Sequence, residues 1–163
     1  MKRYFLKSKD SLKILEKFHE HTKFDYTRLF GGKPRVEVLE TERFKIYIIK
    51  GKAFAIEVNT FITPTLNFSE ILDTLPKVVV DMGAVPHICN GADVMVPGIV
   101  ETDSFEEKTI VRVVDERHGK NIAVGVSLMS SNKILEAERG KAVKNIHYIG
   151  DRIWKFIREL KLI

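Results

Sequence analysis

The hydrophobic positions of the N-terminal third follow first the period of a helix and then the period of strands. Between residues 8 and 21, Leu12, Leu15 and Phe18 recur at three-residue steps, with lysines and glutamates between them. This spacing puts the apolar side chains on one face and predicts an amphipathic helix. The strand-like runs that follow span residues 35–40, 43–50 and 53–58.

The second of these runs shows a clear alternation. Phe44, Ile46 and Ile48 alternate with Lys45 and Tyr47, which predicts a sheet with one buried face. A glycine between two lysines separates this run from the next one and predicts a tight hairpin.

A change of pattern near residue 75 marks a domain boundary. Asn67 with Glu70 three residues later is typical of a helix start, and Pro76 ends that helix after Leu75. We therefore expect an N-terminal domain over residues 1–75 and a second domain over 76–163. The boundary contains no flexible linker, so the two domains are expected to dock against each other.

The second domain opens with a stretch rich in valine and glycine. Val78 to Val80 is typical of a buried strand, which Gly83 ends. Residues 84–90 allow one or two helical turns, Gly91 stops them, and a second strand is expected at residues 93–96 before a Pro-Gly turn. The two Gly-Ala pairs of this stretch leave backbone bare, which permits either close ligand approach or close packing.

The remainder of the chain predicts a β-rich domain. Strands are expected at residues 109–115, 121–128 and 142–149. Ser130 or Ser131 can cap a helix over residues 133–139, with Gly140 as its stop. The tail is ambiguous: Trp154 and Phe156 alternate as in a strand, whereas Ile153, Ile157 and Leu160 have helical spacing.

Charge and composition narrow the classes of function. The net charge is +5, and lysine and arginine are concentrated in residues 1–35 and 139–163 around an acidic middle. Such a field attracts phosphate, although a solvated lysine-rich surface is the alternative interpretation. The single cysteine excludes an internal disulfide. No apolar run has the length of a membrane span, so a cytoplasmic protein without membrane contact is expected.

No catalytic or metal-binding pattern is recognisable. The glycine-rich nucleotide-binding motifs, the serine hydrolase motif and the zinc protease motif are all absent. His19 and His21 point about 200° apart on a helix and cannot share a metal. His87 and Cys89 are likewise two residues apart on a predicted helix, which disfavours a nucleophile pair. We expect no enzyme activity, no metal and no cofactor.

Four further polar residues leave alternatives open. Asp81 and Asp93 flank the glycine pairs and could form an acid pair, but they are more typical of a cap after the strand and of a brace for the Gly91-Ala92 turn. His147 and Tyr148 lie in a predicted strand, so one is expected to face the core and the other to be available for stacking on a base.

The order of these segments resembles a known family. Asp-Met-Gly-Ala, a short helix, Gly-Ala-Asp-Val, Pro-Gly-Ile and the later Asn-Ile-His-Tyr strand resemble the PUA domain, an RNA-binding module. The Pro64-Thr65-Leu66 segment before it resembles the malignant T-cell-amplified protein family, which has small two-domain archaeal relatives. The resemblance implies an α+β fold, with a small α/β N-terminal pre-PUA domain followed by a PUA β-pseudobarrel with short helices. It also implies a strand at residues 154–157 that closes the barrel against the first PUA strand.

The resemblance implies a non-catalytic RNA-binding protein. The implied target is tRNA, through its 3′ end, or the ribosomal RNA of the small subunit, in translation initiation or recycling. The alternative is a subunit that recognises RNA beside a separate tRNA-modifying enzyme, and the N-terminal domain can also be a docking platform for a protein partner. The RNA-binding candidates, taken from the family's binding face and from the basic tail, are Gly83, Ala84, Val85, Gly91, Ala92, Asp93, Val94, Met95, Arg152, Lys155 and Arg158.

Overall fold

The chain forms two sheets, one in each predicted domain. The computed structural model describes residues 1–163, and the architecture is α+β as expected. The N-terminal sheet is antiparallel, with the strand order β1-β2-β3-β4-β5. Its strands are β1 (Lys2–Phe5), β2 (Glu37–Glu40), β3 (Lys45–Ile49), β4 (Lys52–Val58) and β5 (Phe61–Pro64), and its helices are α1 (Ser8–Thr22), α2 (Thr27–Phe30) and α3 (Ser69–Leu72).

The second sheet has six strands in the order β7-β11-β10-β9-β6-β8. Only β6 and β9 are parallel, and bulges in four of the pairings curve the sheet into a nearly closed barrel. The strands are β6 (Lys77–Val80), β7 (Val94–Met95), β8 (Ile99–Thr102), β9 (Ile110–Asp115), β10 (Asn121–Ser127) and β11 (Lys141–Tyr148). The helices are α4 (Val85–Ile88), α5 (Ser131–Glu136) and α6 (Arg152–Glu159).

The N-terminal sheet is covered on both faces, so the prediction of one buried face is wrong. Tyr47 and Ile49 are each 2% exposed and pack with Phe18 of α1. Ile46 and Ile48, on the opposite face, are 0% exposed and pack against the second domain. The alternation in β3 misses the second buried face because α1 covers Tyr47 and Ile49, whereas the predicted buried face is covered by the second domain.

One apolar core joins the two domains, as the absence of a linker predicts. It contains Ile46 and Ile56 of the N-terminal sheet together with Val124 and Ile146 of the second sheet. A polar contact crosses the same junction, because the Leu66 backbone N–H donates to His147 Nε2 at 3.3 Å. The domains thus form a continuous packed body.

The tail is a helix, and the expected barrel-closing strand at residues 154–157 is wrong. Asp151 caps α6, since its Oδ1 accepts from the Trp154 backbone N–H at 2.7 Å. Ile153 and Ile157 are buried in the joint core. The first PUA-like strand, β6, pairs with β8 and β9 instead.

Several element boundaries also differ from expectation. β1 was not predicted, because all four of its residues are exposed and show no alternation. Leu12 is 45% exposed, and α1 instead buries Ser11 beside Leu15 and Phe18. These differences reflect partners that lie far away in the sequence.

The helix caps follow the prediction in one case out of two. Asn67 does not cap α3, and its side-chain amide instead donates to the Leu162 carbonyl at 3.5 Å. Ser130 does cap α5 by accepting from the Lys133 backbone N–H at 3.2 Å. That helix ends at Glu136, before Gly140. None of the helices combines the length and the apolar character that a membrane crossing requires.

Candidate functional site

A groove of about 470 Å³ opens beside the glycine-rich stretch of the second domain. Helix α4 forms one wall, the chain entering β7 forms another, and the Pro-Gly turn after β7 contributes the remainder. The lining residues are Asp81, Ala84, His87, Ile88, Ala92, Asp93, Met95, Pro97 and Gly98.

Small residues keep one part of this groove open. A Cβ atom built on Gly98 would lie 3.1 Å from the Cβ of Ala84. Backbone of the turn and of the α4 start therefore approach each other more closely than two larger side chains would allow. Met95, which is 45% exposed, adds an apolar surface at the rim.

Asp81 supports the start of α4 through its side-chain carboxylate. Its Oδ1 accepts from the Ala84 backbone N–H at 2.8 Å, as the capping interpretation predicts. A Cβ on Gly83 would lie 3.3 Å from this same oxygen. The glycine gives room to the capping carboxylate, and Asp81 Oδ2 has no hydrogen-bond partner in the structure.

Asn145 on β11 holds the opposite wall of the groove. Its Nδ2 donates to the carbonyls of Ile88 and Ala92, each at 3.0 Å, and its backbone N–H donates to Asp93 Oδ1 at 2.9 Å. The prediction that Asp93 braces the Gly91-Ala92 turn is therefore wrong, because the Asn145 amide performs that role. Sequence reasoning missed Asn145, although it lies in the Asn-Ile-His-Tyr segment.

Gly91 is needed for the fold as well as for the turn. Its φ of +98° lies in the left-handed region. A Cβ there would come within 3.2 Å of Tyr148 Oη, so the bare face of Gly91 lies against the tyrosine ring. Val94 is 1% exposed and packs in the core, so its side chain does not line the groove.

The structure thus brings together part of the predicted set. The predicted residues that line the groove are Ala84, Ala92, Asp93 and Met95, and those that do not are Gly83, Val85, Gly91 and Val94. His87 and Ile88 line it although the sequence did not single them out for binding. Their position depends on how α4 sits against β7, which no local pattern reports.

The three predicted cations of the tail lie on the exposed side of α6. Arg152, Lys155 and Arg158 form no ion pair. The Arg158 guanidinium lies 4.5 Å above the Trp154 ring, while Arg152 and Lys155 border a shallow depression of about 260 Å³. These cations do not line the groove, so any joint action with it requires an extended ligand.

A histidine and the cysteine of the second domain that could react chemically take part in contacts that hold the fold together. His147 is 0% exposed, and its Nδ1 lies 2.7 Å from Asp151 Oδ2. Because Nε2 accepts from Leu66, Nδ1 carries the proton and donates to Asp151. Burial raises the pKa of the Cys89 thiol, which opposes thiolate formation. No group of three His, Cys, Asp or Glu residues is arranged to hold a metal ion.

Comparison with known proteins identifies both domains. Residues 76–149 match the PUA domain, and residues 2–69 match a domain of unknown function, DUF1947. An uncharacterized protein of Methanocaldococcus jannaschii is 43% identical over 162 residues, which cover 95% of this chain and 96% of the relative. The crystal structure of a hypothetical protein from Pyrococcus horikoshii OT3 is 36% identical, with a TM-score of 0.79 over 95% of this chain and 99% of that one.

More distant relatives carry descriptive names. Translation machinery-associated protein 20 of Schizosaccharomyces pombe is 35% identical over 92 residues, which are 53% of this chain and 51% of the relative. Human malignant T-cell-amplified sequence 2 also matches about half of each chain. The chain therefore belongs to the family of PUA-domain proteins with an N-terminal DUF1947 domain, whose homologues include Translation machinery-associated protein 20 and the malignant T-cell-amplified sequences.

Proposed function

We propose that this protein is a non-catalytic RNA-binding protein of translation that holds the unpaired 3′ end of tRNA in its PUA groove. The match to the PUA domain supports RNA binding, and the names of the fission yeast and human relatives support translation. The shape of the groove carries the choice of an unpaired RNA end.

The groove is too short to read a duplex. A domain that binds double-stranded RNA spans about 16 base pairs across two minor grooves. A volume of about 470 Å³ instead suits a single unpaired nucleotide at the end of a strand. Met95 and Pro97 give apolar surface for a base, and the Asn145 amide holds the wall residues in place for sugar and backbone contacts.

The charges of the groove favour the sugar of an RNA terminus over its phosphates. The lining contains Asp81 and Asp93 but no lysine or arginine. The unpartnered Asp81 Oδ2 can accept a hydrogen bond from a ribose hydroxyl, and a 3′-terminal ribose carries two adjacent hydroxyls. Phosphates further along the strand require cations outside the groove, for which Lys141 beside Asp93 and the exposed Arg152 and Lys155 are the candidates.

The test compares intact tRNA with tRNA trimmed of its last three nucleotides. Wild-type protein is expected to bind intact tRNA about tenfold more tightly, because stacking of one base on a protein surface contributes about 1–3 kcal/mol. Ala92→Arg fills the groove and should abolish this difference. Asn132→Arg adds the same charge on exposed α5 and should preserve it.

Equal wild-type affinity for the two RNAs would overturn the 3′-end proposal. The two variants are compared with wild type only if both melt near the wild-type temperature. The role in translation is tested separately by isolating the protein from native cells. Co-purified ribosomal subunits or tRNA support it, whereas a co-purified tRNA-modifying enzyme without ribosomal RNA would favour the alternative function.

A further inference from the structure

A second cleft, of about 560 Å³, lies where the two domains meet. On the N-terminal side it is lined by residues 20–23 at the end of α1 and by Phe61 at the start of β5. On the other side it is lined by residues 108–110 and by Val126, with residues 74–76 of the interdomain segment between them. It shares no lining residue with the PUA groove.

The junction cleft has an apolar base and one aromatic ring, while most of its lining residues are polar or charged. Leu75, Ile110 and Val126 are buried and form its base. Phe61 is half-buried and packs on the joint core while still lining the cleft. A flat ligand with a π-face can stack on such a ring in competition with water.

Lysines from both domains border the apolar base of the cleft. Lys23 and Lys108 line the cleft from opposite domains, and both side chains are exposed and free of ion pairs. Lys144 Nζ lies over the face of the Phe61 ring, 5.8 Å from its centre, so a base that stacks there takes the place of this ammonium group. Glu20 is the one carboxylate of the lining, so the cations outnumber it.

The backbone around the cleft is held in unusual conformations. Six residues other than glycine have positive φ, and among them are Lys23 at 62° and Lys108 at 65°. A third is Thr60, directly before Phe61, at 75°. Lys23 is the C-cap of α1, where a left-handed residue is common, and Thr60 with Asn59 forms the two-residue turn between β4 and β5. The helix end and the hairpin turn therefore fix where Lys23 and Phe61 enter the cleft.

We propose that the junction cleft binds one nucleotide of single-stranded RNA, with its base on Phe61 and its phosphate between Lys23 and Lys108. An aromatic platform flanked by cations suits nucleotides of any sequence, because every base has a π-face and every linkage a charge. This site does not depend on the PUA groove. Because its lysines come from both domains, an occupant also bridges the domains.

The test is photo-crosslinking of the full chain to a single-stranded hexanucleotide that carries 4-thiouridine, followed by mass spectrometry of the peptides. Crosslinks are expected within residues 20–23 or at Phe61. The double variant Lys23→Glu with Lys108→Glu should weaken binding about tenfold or more at low salt, because both lysine contacts to the phosphate are lost and two like charges replace them. The matched double variant Lys9→Glu with Lys33→Glu changes the net charge equally but leaves the cleft intact, and should weaken binding much less.

Two further variants test whether RNA binding depends on the junction cleft itself. Phe61→Leu retains most of the packing volume and should lower affinity about tenfold through the lost stacking, with little change in melting temperature. Ala92→Arg should leave the junction crosslinks unchanged, so failure of the groove proposal does not affect this one.

Uridine monophosphate that displaces the hexanucleotide would identify a free nucleotide as an occupant, and lack of competition would assign the cleft to RNA strands. Crosslinks confined to residues 81–98, with equal effects of the two lysine double variants, would overturn the proposal.

Discussion

At the scale of single residues, each glycine of the PUA stretch is explained by a named neighbour. Gly83 leaves room for the Asp81 carboxylate, Gly91 for the Tyr148 ring, and Gly98 for Ala84. The sequence left two interpretations open for Gly83 and Gly91, close approach of a ligand or close packing. In the structure both glycines are exposed and each lies beside a side chain of the chain itself, while Gly98 and Ala92 line the groove.

Gly125, in the middle of β10, is the strictest of these positions. A Cβ there would clash with the carbonyl oxygen of Lys144 on β11 and lie 2.6 Å from Val143 Cγ1. Because backbone cannot yield as a flexible side chain does, we predict that Gly125→Ala lowers the free energy of unfolding by about 3 kcal/mol. Urea titration followed by circular dichroism measures the change.

Gly32→Ala is the control for this substitution. Its Cβ would meet nothing within 4 Å, and its φ is not positive. The stability of that variant should stay within about 0.5 kcal/mol of wild type. An equally small effect of Gly125→Ala would mean that β10 and β11 are further apart than the structure places them.

At the scale of elements, the hairpin between β9 and β10 depends on one carboxylate. Asp115 accepts from the backbone N–H groups of His118 and Lys120, at 2.5 and 3.1 Å. These hydrogen bonds lower the pKa of Asp115 below its ordinary value of 3.8. A carboxylate with a lowered pKa in the folded state stabilises the fold above its ordinary pKa, and this stabilisation is lost as the pH falls through the folded value.

Asp115→Asn should therefore lower the melting temperature at pH 7, where the charged form of Asp115 predominates. The gap between wild type and variant should narrow as the pH falls below 3.8. Glu107→Gln, at an exposed position without hydrogen bonds, is the matched control and should give almost no gap. A gap that stays constant between pH 7 and pH 3 would contradict the role of the ionised carboxylate. Melting curves across this range provide the measurement.

At the scale of the whole molecule, the two domains share one core. Helix α6 belongs to the second domain in sequence, but its Ile153 and Ile157 pack with Leu39 and Phe44 of the first. The backbone continues this contact, since the Ala53 N–H donates to the Leu162 carbonyl at 2.8 Å. Unfolding of one domain would expose the core of the other.

Ile157→Ala should destabilise both domains together. The loss of a side chain that is 2% exposed should reduce the free energy of unfolding by about 2–4 kcal/mol, through lost burial and the cavity left behind. Far-ultraviolet circular dichroism reports both domains, and fluorescence reports Trp154. The two probes should show a single coincident transition for wild type and variant, with Lys155→Ala as a nearly neutral control on the same helix. Two separated transitions would show that the domains unfold independently.

Much of the architecture could be predicted because local patterns reflect local partners. The β6–α4 stretch, the strands from β9 to β11 and the Lys50-Gly51 hairpin follow from alternation, glycine and proline. The α6 segment was ambiguous because its strand-like and helical patterns overlap, and the Asp151 cap decides it. A groove does lie beside the stretch predicted to bind RNA, but its lining depends on the packing of α4, which no local pattern reports.

The sequence by itself determined the α+β class, the order of the two domains, the PUA resemblance and the absence of a catalytic motif. These properties depend on residue type and spacing, which the chain carries before it folds. Only the tertiary structure decided that Asn145 holds the groove wall, that β3 is buried on both faces, and that Lys23 and Lys108 meet around one cleft. Each of those features joins residues that lie far apart along the chain, and long-range contacts of this kind leave no local periodicity to read.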